Sequence, residues 1–184
     1  MNNIMLDIET LGTDSSSVIT SIGAVKFDNE GVDEDNAFFT NVSIQSCLDA
    51  GMTVSGETIQ WWLTQEGEAR KDMFTSYPYH IKDGLMSFGI WATRDSKIED
   101  NRVWGNGSTF DNVIISNAYK AIKKHGSTIS QPWTYRGDRC YRTLCSLCPE
   151  IKMERIGTYH NAKDDAVSQA RHLIKIAKRL NIEL

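Results

Sequence analysis

Two carboxylates stand two residues apart at the end of an apolar run, in the stretch IMLDIET (residues 4–10). Side chains two apart on a strand point to the same face, so Asp7 and Glu9 would lie side by side. Their negative charges repel near a core unless a cation lies between them or one carboxylate takes up a proton. Carboxylates are ligands that Mg²⁺ and Mn²⁺ prefer. The pair therefore indicates a divalent-metal site, although acids are also common where a strand simply ends in solvent.

A third candidate acid, Asp111, follows a glycine-rich turn in the stretch GNGSTFDNVII (residues 105–115). Aspartate is among the best N-cap residues, so this side chain could serve only to begin the following helix. Turns of this kind, held by a rigid scaffold, also carry catalytic groups. The residues alone leave both roles open.

The last cluster lies in YHNAKDDAVSQARHL (residues 159–173), where a histidine precedes a helical pattern with an apolar stripe. At about 100° per residue, Asp164 falls opposite that stripe and Asp165 falls on its border. We therefore expect Asp164 to be a solvated acid that favours the helix dipole. Asp165 is expected to reach a site between the helix and a sheet. His160 by itself is equally compatible with an ordinary polar loop.

The surrounding elements predict an α/β fold in which a mixed sheet is flanked by helices. Three antiparallel strands are expected first, because the early segments are rich in β-branched residues and are separated by polar turns. Helices and further strands then alternate. The predicted strands are residues 3–7, 17–27, 37–44, 102–107 and 132–136, and the predicted helices are residues 55–65 with a continuation over 66–74, then 81–91, 111–124 and 164–180.

Length and composition indicate one domain spanning residues 1–184, with 40% hydrophobic and 24% charged residues. The sequence shows no apolar run long enough for a transmembrane helix and no signal peptide, so no membrane association and a cytoplasmic setting are expected. The net charge of −4 argues against tight electrostatic binding of bulk duplex nucleic acid. The C-x-x-C of Cys145 and Cys148, with nearby Cys140, is interpreted as buried thiols, because no second close pair completes a zinc site.

Taken together, LDIETLG, GNGSTFDNVI and HNAKDDA resemble the three motifs of the DEDD 3′→5′ exonucleases, in the histidine-containing branch. The motifs occur in the expected order and span Asp7 to Asp165. A narrower resemblance, carried by ETIQWWLTQEGEAR and RCYRTL, is to the compact exonuclease-VIII-like enzymes of phages and bacteria. The resemblance implies a ribonuclease-H-like mixed sheet, with three antiparallel strands followed by parallel ones.

The resemblance also implies a reaction, namely metal-dependent hydrolysis from the 3′ end of single-stranded DNA or RNA that releases nucleoside 5′-monophosphates. Asp7, Glu9 and Asp165 would bind one Mg²⁺ or Mn²⁺ ion, and Asp7 would bridge to a second ion with help from Asp111. His160 would be the general base. Two such ions clamp the attacking and leaving oxygens in phosphoryl hydrolysis, and histidine titrates near neutral pH.

An exonuclease must hold a terminal nucleotide without reading much sequence, so stacking and backbone contacts suit it. Leu11 is a candidate wedge against the last base. One of the adjacent tryptophans at 61 and 62 is expected in the core and the other at the site. Arg136, Arg139 and Arg142 are candidate phosphate contacts. The candidate substrate-binding residues are Thr10, Leu11, Trp61, Gln65, Asn106 and Phe110.

Two other functions stay open: a nucleic-acid-binding module of the same fold without turnover, and an endonuclease on a ribonuclease-H-like scaffold. The presence of all four acids and the histidine disfavours the first. The histidine five residues before the last acid disfavours the second. The preference between DNA and RNA is not determined by the sequence, and neither is the oligomeric state, for which a homodimer is one option.

Overall fold

A five-stranded mixed sheet forms the centre of the structure. The computed structural model describes residues 1–73 and 77–184. The strands of this part of the chain are β1 (Asn3–Thr10), β2 (Ile19–Phe27), β3 (Phe38–Asn41), β4 (Arg102–Gly105) and β5 (Asp138–Cys140). Their spatial order is β3-β2-β1-β4-β5. β1, β2 and β3 pair in antiparallel fashion, as the strand pattern predicted, and β4 runs parallel to both β1 and β5, as the family resemblance implied.

Seven α-helices flank the sheet in the described ranges. They are α1 (Ile44–Asp49), α2 (Gly56–Thr64), α3 (Gly67–Met73), α4 (Ile81–Ala92), α5 (Asp111–Lys124), α6 (Tyr141–Leu147) and α7 (Ala162–Leu180). The helices predicted over 55–65, 81–91, 111–124 and 164–180 are confirmed to within two residues. Phe74, the last residue of the continuation predicted over 66–74, lies outside the described residues. None of the helices in the described ranges has the length and apolar character needed to cross a bilayer.

Two predicted strands need correction. The strand expected over 37–44 stops at Asn41 because Ser43 begins α1, accepting a hydrogen bond from the Ser46 amide. The strand expected over 132–136 is wrong, because a 3₁₀ turn occupies 135–137 and the strand follows it as β5. The buried indole of Trp133 donates to Asp138 Oδ1 at 2.8 Å, so this aromatic packs into the core instead of pairing along a strand.

The sheet separates two hydrophobic cores, and β1 contributes to both because its side chains alternate. Ile4, Leu6 and Ile8 face the core that contains residues of α4 and α5. Met5 faces the core that contains residues of α6 and α7. Asp7 and Glu9 follow Met5 in this alternation, so they point to the α7 side of the sheet.

Gly23 allows α7 to approach the sheet unusually closely. It pairs with Asp7 across the β1–β2 ladder. A Cβ atom at Gly23 would lie 2.1 Å from the Ala162 carbonyl carbon and 2.3 Å from the Lys163 nitrogen. Backbone cannot shift aside as a flexible side chain can, so the first turn of α7 depends on glycine at this position.

We expect Gly23→Ala to lower the free energy of unfolding by about 1–3 kcal/mol, the usual range for overpacking a core. Urea denaturation followed by circular dichroism measures this change. Gly31→Ala is the matched control, because nothing lies within 4 Å of a Cβ at that glycine. Equal stability of the two variants would show that the packing of α7 against the sheet does not require glycine at position 23.

Candidate active site

The acids of β1 meet the side chains of α7 near the end of the strand. Asp7 Oδ1 accepts a hydrogen bond from Gln169 Nε2 at 2.8 Å. Gln169 lies one helical turn after Asp165, so both side chains extend from the same face of α7 towards the sheet. One face of one helix therefore supplies an acid to the site and an amide that orients a second acid.

Asp111 reaches the same cluster from the adjacent strand end. β1 and β4 are parallel, so their carboxyl ends share one edge of the sheet, and Asp111 is the first residue of the helix after β4. The N-cap position is Phe110, with no side-chain cap, so the capping role considered for Asp111 is not what the structure shows. The carboxylate is 2% exposed. It lies directly against Gly105, where a Cβ atom would be 3.0 Å from Asp111 Oδ2.

His160 lies beside Glu9 and Asp165. Ligand atoms of these three side chains all fall within 4.8 Å of one another. The backbone of His160 has φ 62°, in the left-handed region that few non-glycine residues adopt. Its ring makes edge contacts with three aromatic rings, at centroid distances of 5.2 Å to Trp61, 5.6 Å to Trp62 and 4.2 Å to Tyr159.

Asp164 is not the solvated acid that the helical wheel predicted. Its Oδ2 accepts a hydrogen bond from the Thr158 amide at 2.8 Å. It also packs against Gly157, whose positive φ forms the turn before the histidine. Asp164 therefore holds the loop that carries His160, while Asp165 faces the site as expected.

Burial and mutual repulsion make the cluster costly to ionise. Burial raises the pKa of Asp7 well above its ordinary value, and the charges of Asp111 and Asp165 raise it further. Burial also raises the pKa of Glu9, with the Asp7 charge adding to the effect. Burial raises the pKa of Asp111 to about 7. Burial likewise raises the pKa of Asp165, and four carboxylates in this state form a strong binding site for positive charge.

The donor set fits hard divalent ions. Each acid offers carboxylate oxygens, the ligands that Mg²⁺ and Mn²⁺ favour. Asp111 Oδ2 is buried without a hydrogen-bond partner among the described residues, as expected for an oxygen intended for another ligand. Among the described residues, the one potential metal-holding group of histidine, cysteine and acidic residues is Glu9, His160 and Asp165. The cysteines are free, and the predicted burial holds for Cys148, whereas Cys140 and Cys145 are only half-buried.

Two side chains that contact the acids, those of Gln169 and Arg155, were not predicted. Gln169 could have been found from its spacing of four residues after Asp165 on a helix. Arg155 donates to Asp165 Oδ1 and lies in an irregular segment, where no periodicity points to the site.

A cavity of about 440 Å³ opens next to Glu9. Its lining includes Thr10, Trp61 and Phe110, three of the predicted substrate-binding residues. Trp61 is 44% exposed, whereas Trp62 is 2% exposed and donates its indole N–H to the Thr10 carbonyl oxygen at 2.9 Å. Trp62 is therefore a core residue, as expected for one of the pair, and Trp61 is the more exposed of the two at the cavity.

The other three predicted substrate-binding side chains make contacts within the protein. Leu11 is 5% exposed and packs in the core, so little of its side chain is available to contact a base. The Gln65 amide donates to the Trp61 carbonyl oxygen at 3.1 Å, at the end of α2 and outside the cavity lining. The Asn106 carbonyl oxygen accepts from Arg142 Nη2 at 2.8 Å, which fastens the turn before Asp111.

Of the three predicted phosphate-binding arginines, Arg142 alone has a described contact with the site, through that turn. Arg139 donates to the backbone carbonyls of Arg136 and Asp138, and Arg136 packs over Tyr135.

Solved structures with this fold include nucleases. The chain resembles cell-death related nuclease 4 (CRN-4), with 13% identity, a TM-score of 0.56 and coverage of 96% of this chain and 64% of that one. It resembles exonuclease X in complex with 5′ overhanging duplex DNA, with 16% identity, a TM-score of 0.59 and coverage of 97% and 93%. It also resembles a full-length 3′-exonuclease, with 14% identity, a TM-score of 0.56 and coverage of 99% and 83%. At these identities the likeness shows a shared fold, and the chain spans less than two thirds of CRN-4.

A comparison with the sequences of curated proteins gave no significant match. A comparison with protein-family models matched residues 2–177, nearly the whole chain, to the 3′-5′ exoribonuclease Rv2179c-like domain. That match agrees with the histidine-branch motifs and with the mixed sheet, and the chain therefore belongs to the Rv2179c-like family of 3′-5′ exonuclease domains.

Proposed function

We propose that this protein is a divalent-metal-dependent 3′-5′ exonuclease that removes nucleoside 5′-monophosphates from the 3′ end of single-stranded DNA, RNA or both. The observation that carries the proposal is the convergence of four carboxylates and one histidine at the strand ends of a chain from this family. We further propose that residues 1–184 act as one exonuclease domain, in a cytoplasmic setting, and that Asp7, Glu9, Asp111 and Asp165 hold two Mg²⁺ or Mn²⁺ ions.

The ions would supply positive charge at the phosphodiester and favour ionisation of the attacking water. The protein's contribution is to hold the carboxylates in place. Gln169 fixes Asp7, the Gly105 strand end accommodates Asp111, and the first turn of α7 presents Asp165.

His160 is suited to accept the proton of the attacking water. Burial lowers the pKa of its imidazole, against the opposing effect of the Asp165 charge. A histidine with a lowered pKa is largely neutral at pH 7, which leaves a ring nitrogen free to take up a proton. The surrounding aromatic rings restrict the orientation of the ring.

The cavity beside Glu9 has the character expected for a terminal nucleotide. Trp61 and Phe110 offer aromatic surface on which any base can stack, and stacking of this kind tolerates different sequences. Its position next to the acids would bring the last phosphodiester of a strand to the carboxylates. The matched family is one of exoribonucleases, whereas the similar exonuclease X structure is a complex with DNA. Both RNA and DNA strands should therefore be assayed.

The direct test is digestion of 5′-labelled single-stranded DNA and RNA of matched sequence in Mg²⁺, Mn²⁺ or EDTA. We expect a ladder that shortens from the 3′ end and disappears in EDTA. Internal cleavage products would favour the endonuclease instead. Binding without cleavage under every metal condition would favour the non-catalytic module.

Asp111→Asn should raise the stability of the metal-free protein at pH 8 by roughly 2 kcal/mol and abolish activity. The raised pKa of Asp111 means that the folded state binds more protons than the unfolded state between about pH 4 and 7. The free energy of unfolding of the wild type in EDTA therefore decreases as pH rises through this window. In the variant this decrease should be much smaller. Urea denaturation at pH 5 and pH 8 measures it. A variant no more stable than wild type at pH 8 would contradict the cost assigned to burying the charged Asp111 carboxylate.

His160→Ala should reduce kcat by about 10²–10⁴-fold, the usual contribution of a general base, with a smaller effect on metal affinity. The control is Asp164→Asn, because the amide oxygen can still accept from the Thr158 amide and hold the loop. Single-turnover digestion at saturating metal gives the cleavage rates of the His160→Ala and Asp164→Asn variants. If Asp164→Asn were as inactive as Asp165→Asn, the roles assigned to the two acids would be wrong.

Trp61→Ala should raise KM for a single strand by about tenfold or more, because stacking on an aromatic side chain is worth about 1–3 kcal/mol per base. Trp61→Phe should recover most of the affinity. The matched control is Leu63→Ala, which removes a 64% exposed apolar side chain from the same helix. Unchanged KM in Trp61→Ala would place the terminal base elsewhere.

A further inference from the structure

Arg155 holds one of the oxygens that a metal ion at Asp165 would use. Its guanidinium donates to Asp165 Oδ1 and forms an ion pair with that carboxylate. The Asp165 side chain is only 11% exposed, whereas that of Arg155 is 39% exposed. The Arg155 guanidinium therefore contacts the carboxylate from its solvent side and can move away without disturbing the core.

A second contact keeps this guanidinium at the mouth of the site. The Arg155 guanidinium carbon lies 4.0 Å from the centroid of the Tyr159 ring, a cation–π distance. Tyr159 in turn packs against His160. If the ion pair with Asp165 opened, the aromatic contact would keep the side chain nearby.

The charge of Arg155 acts on the acid cluster as a whole. It opposes the burial that raises the pKa values of Asp7, Glu9 and Asp165. Two cations cannot share one face of a carboxylate without strong repulsion. A divalent ion at Asp165 and the guanidinium on Asp165 Oδ1 are therefore in competition.

We propose that Arg155 is a built-in counter-ion of Asp165 that a divalent metal must displace, so that this residue sets the metal concentration at which the site loads. The inference rests on the proposed metal site. Before the metal binds, the guanidinium neutralises part of the acid cluster. Binding then includes the work of breaking the ion pair, which weakens the apparent affinity.

The test is calorimetric titration of the full chain with Mn²⁺ and with Mg²⁺, in the absence of nucleic acid. Arg155→Met removes the charge and keeps a long apolar stem on Tyr159. We expect it to bind the ion about three- to tenfold more tightly than wild type, the factor expected for losing a partly exposed competing ion pair. Arg155→Lys keeps a competing charge and should remain within about twofold of wild type.

Arg171→Met is the matched control for the loss of one positive charge. Arg171 lies on α7, as Asp165 does, and forms an ion pair with Glu34, with Nε to Oε1 at 2.7 Å. The pair is exposed and makes no described contact with the acid cluster. Its loss should leave metal affinity unchanged.

A second measurement follows metal binding in the wild type itself. In ¹H–¹⁵N spectra of the wild type, the Arg155 Nε–H resonance, assigned from its absence in Arg155→Lys, should shift on Mg²⁺ saturation, while that of Arg171 should not. Unchanged or weaker metal binding by Arg155→Met, or a stationary Arg155 resonance in a metal-saturated protein, would overturn the inference and leave the proposed metal site standing. Absence of metal binding by the wild type would instead overturn the proposed site itself.

Discussion

The site depends on holding like charges together in a partly buried place. Carboxylates in contact repel one another, and burial adds a penalty because it removes water from each charge. The raised pKa values of Asp7, Glu9 and Asp111 express that cost. The fold tolerates it because the surrounding sheet and helices supply enough apolar burial to fix the positions of the acids. Binding of divalent cations would relieve the repulsion and so couple the stability of the site to its proposed chemistry.

The architecture brings the charges together through a few backbone constraints. Alternation along β1 sends two acids to the α7 side, and the parallel pairing of β1 with β4 places Asp111 at the same edge. Gly23 lets the first turn of α7 contact the sheet, and that turn carries Asp165. The acids of the candidate site thus come from distant parts of the chain, but each is placed by a regular element.

Much of this arrangement can be predicted from the sequence, because the acids of the candidate site lie on periodic elements. The period of two in β1 predicts that Asp7 and Glu9 share a face, and the period of 3.6 in α7 separates Asp164 from Asp165. Side chains in irregular segments could not be placed in this way. The helical wheel predicted a solvent-exposed Asp164 because it considers only the helix. The partner of this carboxylate, the Thr158 amide, lies outside the helix. The burial of Leu11 was not predicted, because the residue follows the last position of β1 and its side chain packs back into the core. Arg155 contacts Asp165 from a loop without periodicity, so only tertiary structure reveals it.

The proposed chemistry requires that the carboxylates of β1, α5 and α7 form a divalent-cation site. Anomalous diffraction from crystals of the protein grown with Mn²⁺ is the sharpest test of this requirement, since manganese is located independently of any assumption about its ligands. We expect anomalous density bounded by the carboxylates of Asp7, Glu9 and Asp165, with Asp7 and Asp111 bounding a second position. Well-diffracting crystals with no manganese at these side chains, or with manganese bound only elsewhere, would contradict the proposed site.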